Sequence, residues 1–231
     1  PRFRADAFYL PDDPFIRIPA GRFIMGSNPK KDKDAVDREQ PQHEVELGEY
    51  YIARYPVTVA QFRAFVEQRG YKPDIRSSLD GLLNHPVVNV TWYDALAYCD
   101  WLTAQLPKLP SLPAELRRGW RVTLTSEAEW ERAARGTDGR IYPWGDVFDP
   151  DKANIDDTGI GSTSAVGCFP SGASPDGLLD ASGNVWEWTR SLYGKGGNLE
   201  FPYPYSDRLK ERENLNTGSE IRRVVRGGSW L

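Results

Sequence analysis

Asp180-Ala-Ser-Gly-Asn-Val-Trp-Glu-Trp188 sets two carboxylates, Asp180 and Glu187, seven residues apart around a Gly-containing turn. Backbone carbonyls at such a turn can point inward, and oxygen-only, partly backbone ligation is what Ca²⁺ prefers. The same residues can equally be read as a tight turn capped by Asp180. A second acidic loop, Asn154-Ile-Asp-Asp157, offers the same choice. Both lie in the 95 residues after Gly136, which are dense in Gly, Pro, Asp, Asn and Ser and nearly free of helical signals. Irregular chain of that length inside an ordered protein is uncommon and points to function or to bound ions.

Upstream of Gly136 the periodicities change. Residues 15–26 alternate apolar and polar around Pro19-Ala-Gly21, which predicts a β-hairpin or two short strands. The polar run from Asn28 to Gln42 reads as a solvated loop, and His43 to Ala53 reads as strand. Three helices follow. The first starts at Thr58 and stops at Gly70, burying Val59, Phe62, Phe65 and Val66. The second runs from Thr91 to about Gln105, with Trp92, Leu96, Cys99 and Leu102 on one stripe and Asp94 three residues after the cap. The third opens at Ser126 with Glu129 as its capping partner and buries Trp130, Ala133 and Ala134. Residues 72–84, 106–116 and 193–220 read as surface insertions. These elements together predict an α+β fold with few helices, short strands and a large loop content. Residues 1–14 read as an N-terminal extension or linker and 15–231 as one domain.

Composition narrows the function classes. The chain of 231 residues carries 29 Lys+Arg against 33 Asp+Glu, a net charge of −4, without a basic block. Nucleic acid is therefore not an expected partner. No apolar run approaches the ~20 residues that cross a bilayer, so a membrane is not expected either. Two cysteines, Cys99 and Cys168, make no disulfide framework, and cytoplasm is the default compartment, with a mature secreted chain the other option. Both thiols read as small hydrophobes rather than nucleophiles. His43 and His85, the only imidazoles, lack a nearby nucleophile or metal-ligand spacing and read as structural or surface residues. Asn89-Val-Thr91 matches a glycosylation tripeptide, but Thr91 is better placed as a helix cap. Arg226-Gly-Gly-Ser-Trp230 lacks the Lys-Ser/Thr ending of a phosphate loop.

Seven ordered blocks resemble the formylglycine-generating enzyme and sulfatase-modifying factor family. They are Pro19–Ser27, Tyr55–Phe62, His85–Cys99, Leu124–Arg135, Tyr142–Gly145, Gly183–Trp188 and Arg226–Trp230. The resemblance implies a C-type-lectin-like fold. It also implies one Ca²⁺ site from the Asp180 and Glu187 side chains with the Gly183 and Val185 carbonyls. Part of a second is implied at Asn154 and the Ile155 carbonyl, with Asp157 as its acidic ligand in a loop shorter than in the enzymes. The family's oxidases hold copper with two cysteines following the Arg-Gly-Gly-Ser motif, and neither Cys99 nor Cys168 matches them.

Two functions follow as expectations. One is a binding module on a calcium-stabilised scaffold, similar to the variable proteins of diversity-generating retroelements. It would present a face after Ser229, near the C-terminus, to a protein or other ligand. The alternative is a copper-dependent oxidase converting a peptide cysteine to formylglycine with O₂, its thiols lying beyond Leu231. An iron-dependent sulfoxide synthase would need a His-rich set that two histidines do not supply. The short calcium loop and the unassigned thiol pair favour the binder, so no catalytic residue is named. A lectin-like fold brings its ends together in one sheet, so residues beyond Leu231 are expected.

Overall fold

The computed structural model of the chain describes residues 14–109, 112–205 and 209–231. The extension expected over 1–14 lies, but for Pro14, outside the described residues. The architecture is α+β. Four strands come first: β1 (Phe15–Ile18), β2 (Gly21–Met25), β3 (His43–Leu47) and β4 (Tyr50–Ala53). β1 and β2 do not form a hairpin with each other; β1 pairs antiparallel with β4, and β2 with β3. The segment 43–53, read as one strand, is therefore two. Ile18 faces Tyr50 and Gly21 faces Leu47, so the register runs unbroken across the interruption. Pro19 has no N–H to donate there, and the ladder breaks where a donor is missing.

Three helices follow, α1 (Val59–Arg69), α2 (Trp92–Gln105) and α3 (Glu127–Arg135). Each opens on the expected hydroxyl: Thr58, Thr91 and Ser126 accept the N3 backbone N–H, and Gln61, Asp94 and Glu129 reach back to the cap. Such a cap contributes about 1 kcal/mol by satisfying orphan N–H groups. α1 and α2 meet through Phe62, Phe65, Tyr98 and Trp101. The buried face of α2 is wider than the expected stripe, taking in Tyr98 and Trp101 while Leu96 is only half-buried.

α3 bridges the two halves of the ribbon. Trp130, Ala133 and Ala134 pack on Ile16, Ile18 and Ile52, while Ala128 packs with Phe23, Met25 and Val45. Short alanine side chains let the helix axis approach the strands closely. The last sheet pairs β5 (Glu187–Lys195) with β6 (Ile221–Arg226), antiparallel with an irregular register. It is tied to α3 by the Glu127 N–H on Ser191 Oγ at 2.9 Å and the Arg190 N–H on the Thr125 carbonyl at 2.9 Å.

Two of the expected surface insertions contribute to the core instead. Leu106, Leu109, Leu112 and Leu116 are buried with α1 and α2, each leucine adding about 1.5–3 kcal/mol of apolar burial. Tyr203 and Tyr205 join the cluster beneath α3. Proline-rich, polar-looking stretches hid these anchors because their spacing follows neither strand nor helix. Among the described residues no helix is long and apolar enough to cross a membrane.

Candidate functional site

The loop between Leu178 and β5 is curled by positive φ angles at Asp180 (58°), Gly183 (77°) and Asn184 (63°). Left-handed backbone at two non-glycine positions is uncommon, and it turns the segment's polar groups inward. Asp180 is buried, and its Oδ2 accepts the Gly167 N–H at 2.6 Å. A β-carbon placed on Gly227 would lie 3.4 Å from the Val185 carbonyl oxygen, 3.5 Å from the Trp130 ring and 3.9 Å from Glu187 Oε1. The Val185 carbonyl and the Glu187 carboxylate therefore border one small space, which Gly227 leaves open. The Gly183 N–H donates to the Gly227 carbonyl at 2.8 Å, and the Gly183 carbonyl accepts the Val185 N–H at 2.9 Å, leaving it one lone pair.

Burial raises both carboxyl groups. Asp180 is pushed up to about 6, moderated by the Gly167 N–H. Glu187 is pushed up to about 8 by burial; the Trp130 indole N–H opposes the rise without closing a well-formed hydrogen bond, and the Asp180 charge adds to it. Neither is ion-paired to a Lys or Arg among the described residues. Two desolvated carboxylates without a counter-charge, beside backbone carbonyls, are a hard oxygen donor set that suits Ca²⁺.

The second loop is adjacent but differently occupied. Its Asn154 carbonyl accepts the Asn184 N–H at 2.7 Å, which fastens it to the first loop. The buried Asn154 amide nitrogen donates to the Ser162 carbonyl at 2.9 Å and to Asn184 Oδ1 at 3.3 Å. The Ile155 carbonyl accepts both the Thr158 N–H and its hydroxyl, and Asp157 is exposed. This loop is held by its own hydrogen bonds, with its acidic side chain in solvent.

Beneath the first loop runs a charge network that sequence reading passed over. Glu131, 1% exposed, accepts the Gly26 N–H at 2.7 Å and pairs with Arg135 at 2.5 Å and Arg226 at 2.7 Å. Arg226 also lies 3.8 Å from Glu127, which accepts the Tyr203 hydroxyl at 3.0 Å. The legible signal was Glu127, Glu131 and Arg135 at successive intervals of four on one helix. Arg226 leads directly into Gly227-Gly228, and the Trp230 N–H donates to the Asn184 carbonyl at 3.2 Å, so the C-terminal segment rests on the first loop.

Cys99 is buried and its thiol is pushed up to about 12, chiefly by desolvation; Cys168 is exposed and unpaired. His43 Nε2 accepts the Tyr205 N–H at 2.7 Å, and His85 Nδ1 meets Thr163 Oγ1 at 3.0 Å. Both imidazoles have structural partners, as expected. Among the described residues no three His, Cys, Asp or Glu side chains cluster as a metal set, so backbone oxygens would have to complete any cation site.

The sulfatase-modifying factor enzyme 1-like domain model matches residues 6–231. The chain belongs to that family. The inactive C-alpha-formylglycine-generating enzyme 2 of Mus musculus is 29% identical over 275 aligned positions, covering 95% of this chain and 75% of that protein. The formylglycine-generating enzyme of Streptomyces coelicolor is 30% identical over 275, covering 94% and 78%. Among solved structures, PvdO from Pseudomonas aeruginosa matches with a TM-score of 0.67 at 25% identity, covering 94% of this chain and 82% of that one. Treponema denticola variable protein 1 shares the fold, with a TM-score of 0.61 at 22% identity and coverage of 94% and 83%. This member of the sulfatase-modifying factor family thus has the expected C-type-lectin-like fold, with three main helices, short strands in small sheets and much loop. Its relatives include a protein named as an enzyme and one named as inactive, so membership does not decide the activity.

Proposed function

We propose that this family member is a ligand-binding domain on a Ca²⁺-stiffened scaffold, of the kind found in diversity-generating-retroelement variable proteins. Its ligand face would lie around Trp186 and the Ser229–Leu231 end, open to a protein or other ligand. The observation that carries the reading is Trp186 itself: it is 59% exposed, yet it sits between Val185 and Glu187 on a loop anchored to its neighbours on both sides. A large ring displayed on rigid backbone loses little entropy on binding, which is why Trp is enriched at binding hot spots. Asp180 and Glu187, with the Gly183 and Val185 carbonyls, would hold the ion. Bound Ca²⁺ would supply the positive charge that the two desolvated carboxylates lack. The proposal does not extend to the Asn154 loop, where the Asn154 and Ile155 oxygens already accept hydrogen bonds and Asp157 lies in solvent.

Cys99 and Cys168 do not make a copper site. A Cu(I) site needs paired thiolates. Cys99 is a buried thiol held protonated, and Cys168 is a single exposed one. The deciding experiment supplies the purified protein with copper, O₂ and a cysteine-containing peptide, and reads O₂ uptake and peptide mass. Absence of turnover is expected; conversion of cysteine to formylglycine would replace the binder by the oxidase.

A further inference from the structure

Side chains alternate along β3, so His43 shares a face with Val45 and Leu47 and points toward the cluster beneath α3. There its half-buried ring meets the Tyr203 ring edge-on, with centroids 5.0 Å apart. Both ring nitrogens are engaged by main chain. Nδ1 lies 2.8 Å from the Pro41 carbonyl oxygen, and Nε2 lies 2.7 Å from the Tyr205 nitrogen. A carbonyl can only accept and an amide N–H can only donate, so Nδ1 carries the hydrogen and Nε2 carries none. These partners therefore assign one tautomer of the neutral ring. An imidazolium is a donor at both nitrogens and cannot make the second bond.

The charged and titratable groups around the ring are committed elsewhere. Glu44, next on β3, pairs with Arg22 at 2.9 Å, and Glu39 receives the Val36 N–H. On α3, Glu127 and Glu131 are taken up by Arg212, Arg226 and Arg135. From the segment that packs on His43 come the Tyr203 hydroxyl, given to Glu127, and the Tyr205 hydroxyl, given to Glu213, which also accepts from Arg190. Arg212 lies over the Tyr203 and Tyr205 rings at 6.0 and 4.3 Å, a like charge to an imidazolium. Among the described residues no carboxylate meets either imidazole nitrogen, so nothing there compensates a proton on Nε2 for the bond it removes. The N–H that would be stranded belongs to Tyr205, a buried residue. Two residues of the same segment, Phe201 and Tyr203, line a cavity of about 640 Å³ that Trp186 also lines. The Tyr203 end is held independently, by its hydroxyl and by Arg212 Nη2 on the Pro202 carbonyl at 2.8 Å. At Tyr205 the tie from main chain to β3 runs through His43.

We propose that His43 is an acid-sensitive latch: the neutral ring fastens the Tyr205 main chain to β3, and a proton on Nε2 releases it and loosens the Phe201–Tyr205 wall of the cavity. Histidine is the side chain that ordinarily changes charge between pH 8 and 5, which sets the range in which such a latch acts. Its direction is opposite to that of Asp180 and Glu187, whose buried carboxyl groups favour the folded state as pH falls. The latch holds whether the domain binds or oxidises.

The test is amide hydrogen exchange of the purified protein, followed by NMR at pH 7.5 and 5.5 and corrected for the intrinsic exchange rate. Protection of the Tyr205 N–H should fall roughly tenfold between the two, the change in the neutral fraction of an ordinary imidazole. The Phe62 N–H, held inside α1 by the Thr58 carbonyl at 3.0 Å, should keep its protection. His43→Gln offers an amide oxygen in place of Nε2 and takes no proton in this range, so its Tyr205 protection should stay level. A second reading needs no variant: the loss at Tyr205 should share its midpoint with the titration of the His43 ring-proton signals. Constant Tyr205 protection in the parent, an equal loss at Phe62, the same tenfold loss in His43→Gln, or a midpoint that follows His85 instead would overturn the proposal. None of these results bears on the Ca²⁺ scaffold, which has its own test below.

Discussion

The Asn154 carbonyl oxygen occupies the space beside Gly183 so closely that a β-carbon on Gly183 would stand 2.2 Å from it. The two residues form a parallel bridge, and the Asn154 carbonyl takes the N–H of the next residue, Asn184, at 2.7 Å. Gly183 also has φ of 77°, which L side chains rarely adopt. The two acidic loops are thus one structural unit, closed at a glycine.

Gly183→Ala should therefore destabilise the protein by more than about 2 kcal/mol, from backbone strain and the clash together. Chemical denaturation of the variant should show a clearly lower midpoint with an unchanged slope. An unchanged midpoint would mean the loops separate easily.

Asp180 and Glu187 set a pH dependence whose sign is definite. Their ordinary values, 3.8 and 4.5, rise to about 6 and about 8 on folding. Between these limits the folded state holds more protons than the unfolded one, so without Ca²⁺ stability falls as pH rises from about 4 to about 8. Each group costs about 1.4 kcal/mol per pH unit while it is ionised in the unfolded state and still protonated in the folded one. In chelator the melting temperature should fall across this window. Added Ca²⁺ should raise it most at the alkaline end, where the carboxylates are free of protons, by binding only the folded state. Asp180→Ala and Glu187→Ala should abolish the Ca²⁺ response. A melting curve indifferent to chelator at pH 8 would remove the cation from this site.

The thiols should differ sharply in the native protein. Cys168 should react promptly with a thiol reagent, whereas Cys99, buried with its thiol near 12, should label only on unfolding. One equivalent before denaturant and two after is the expected count, and rapid labelling of both would place Cys99 at the surface.

Glu131 holds Arg135, Arg226 and the Gly26 N–H with one buried carboxylate. Glu131→Ala should cost about 3–5 kcal/mol, since it leaves buried guanidinium groups without their counter-charge. Thermal unfolding will show it; a loss below 1 kcal/mol, on the order of a surface pair, would mean the arginines find water.

Much of this was legible in the residues. Thr58, Thr91 and Ser126 announced the three helices because capping is a local transaction between a hydroxyl and an N–H three residues away. Asp180 and Glu187 stood out because they flank a Gly-containing turn whose backbone carbonyls can join them as oxygen donors. The leucines at 106, 109, 112 and 116 were misread, since a buried irregular segment has no period to reveal it. The split of 43–53 into two strands was also hidden, because it answers to Pro19 on another segment.

By itself, then, the sequence determined the helix boundaries, the α+β class and the family, all of which depend on neighbours within a few positions or on ordered blocks of residues. Only the tertiary structure decided that Asp180 and Glu187 are desolvated without a counter-ion, that Asn154 has its amide engaged by Ser162 and Asn184, and that Glu131 gathers Arg135 and Arg226 around one buried carboxylate. Those properties arise from burial and from partners that for the most part lie far along the chain, such as Asn184 for Asn154 and Arg226 for Glu131, and a carboxylate or guanidinium has no charge balance until the whole chain has closed around it.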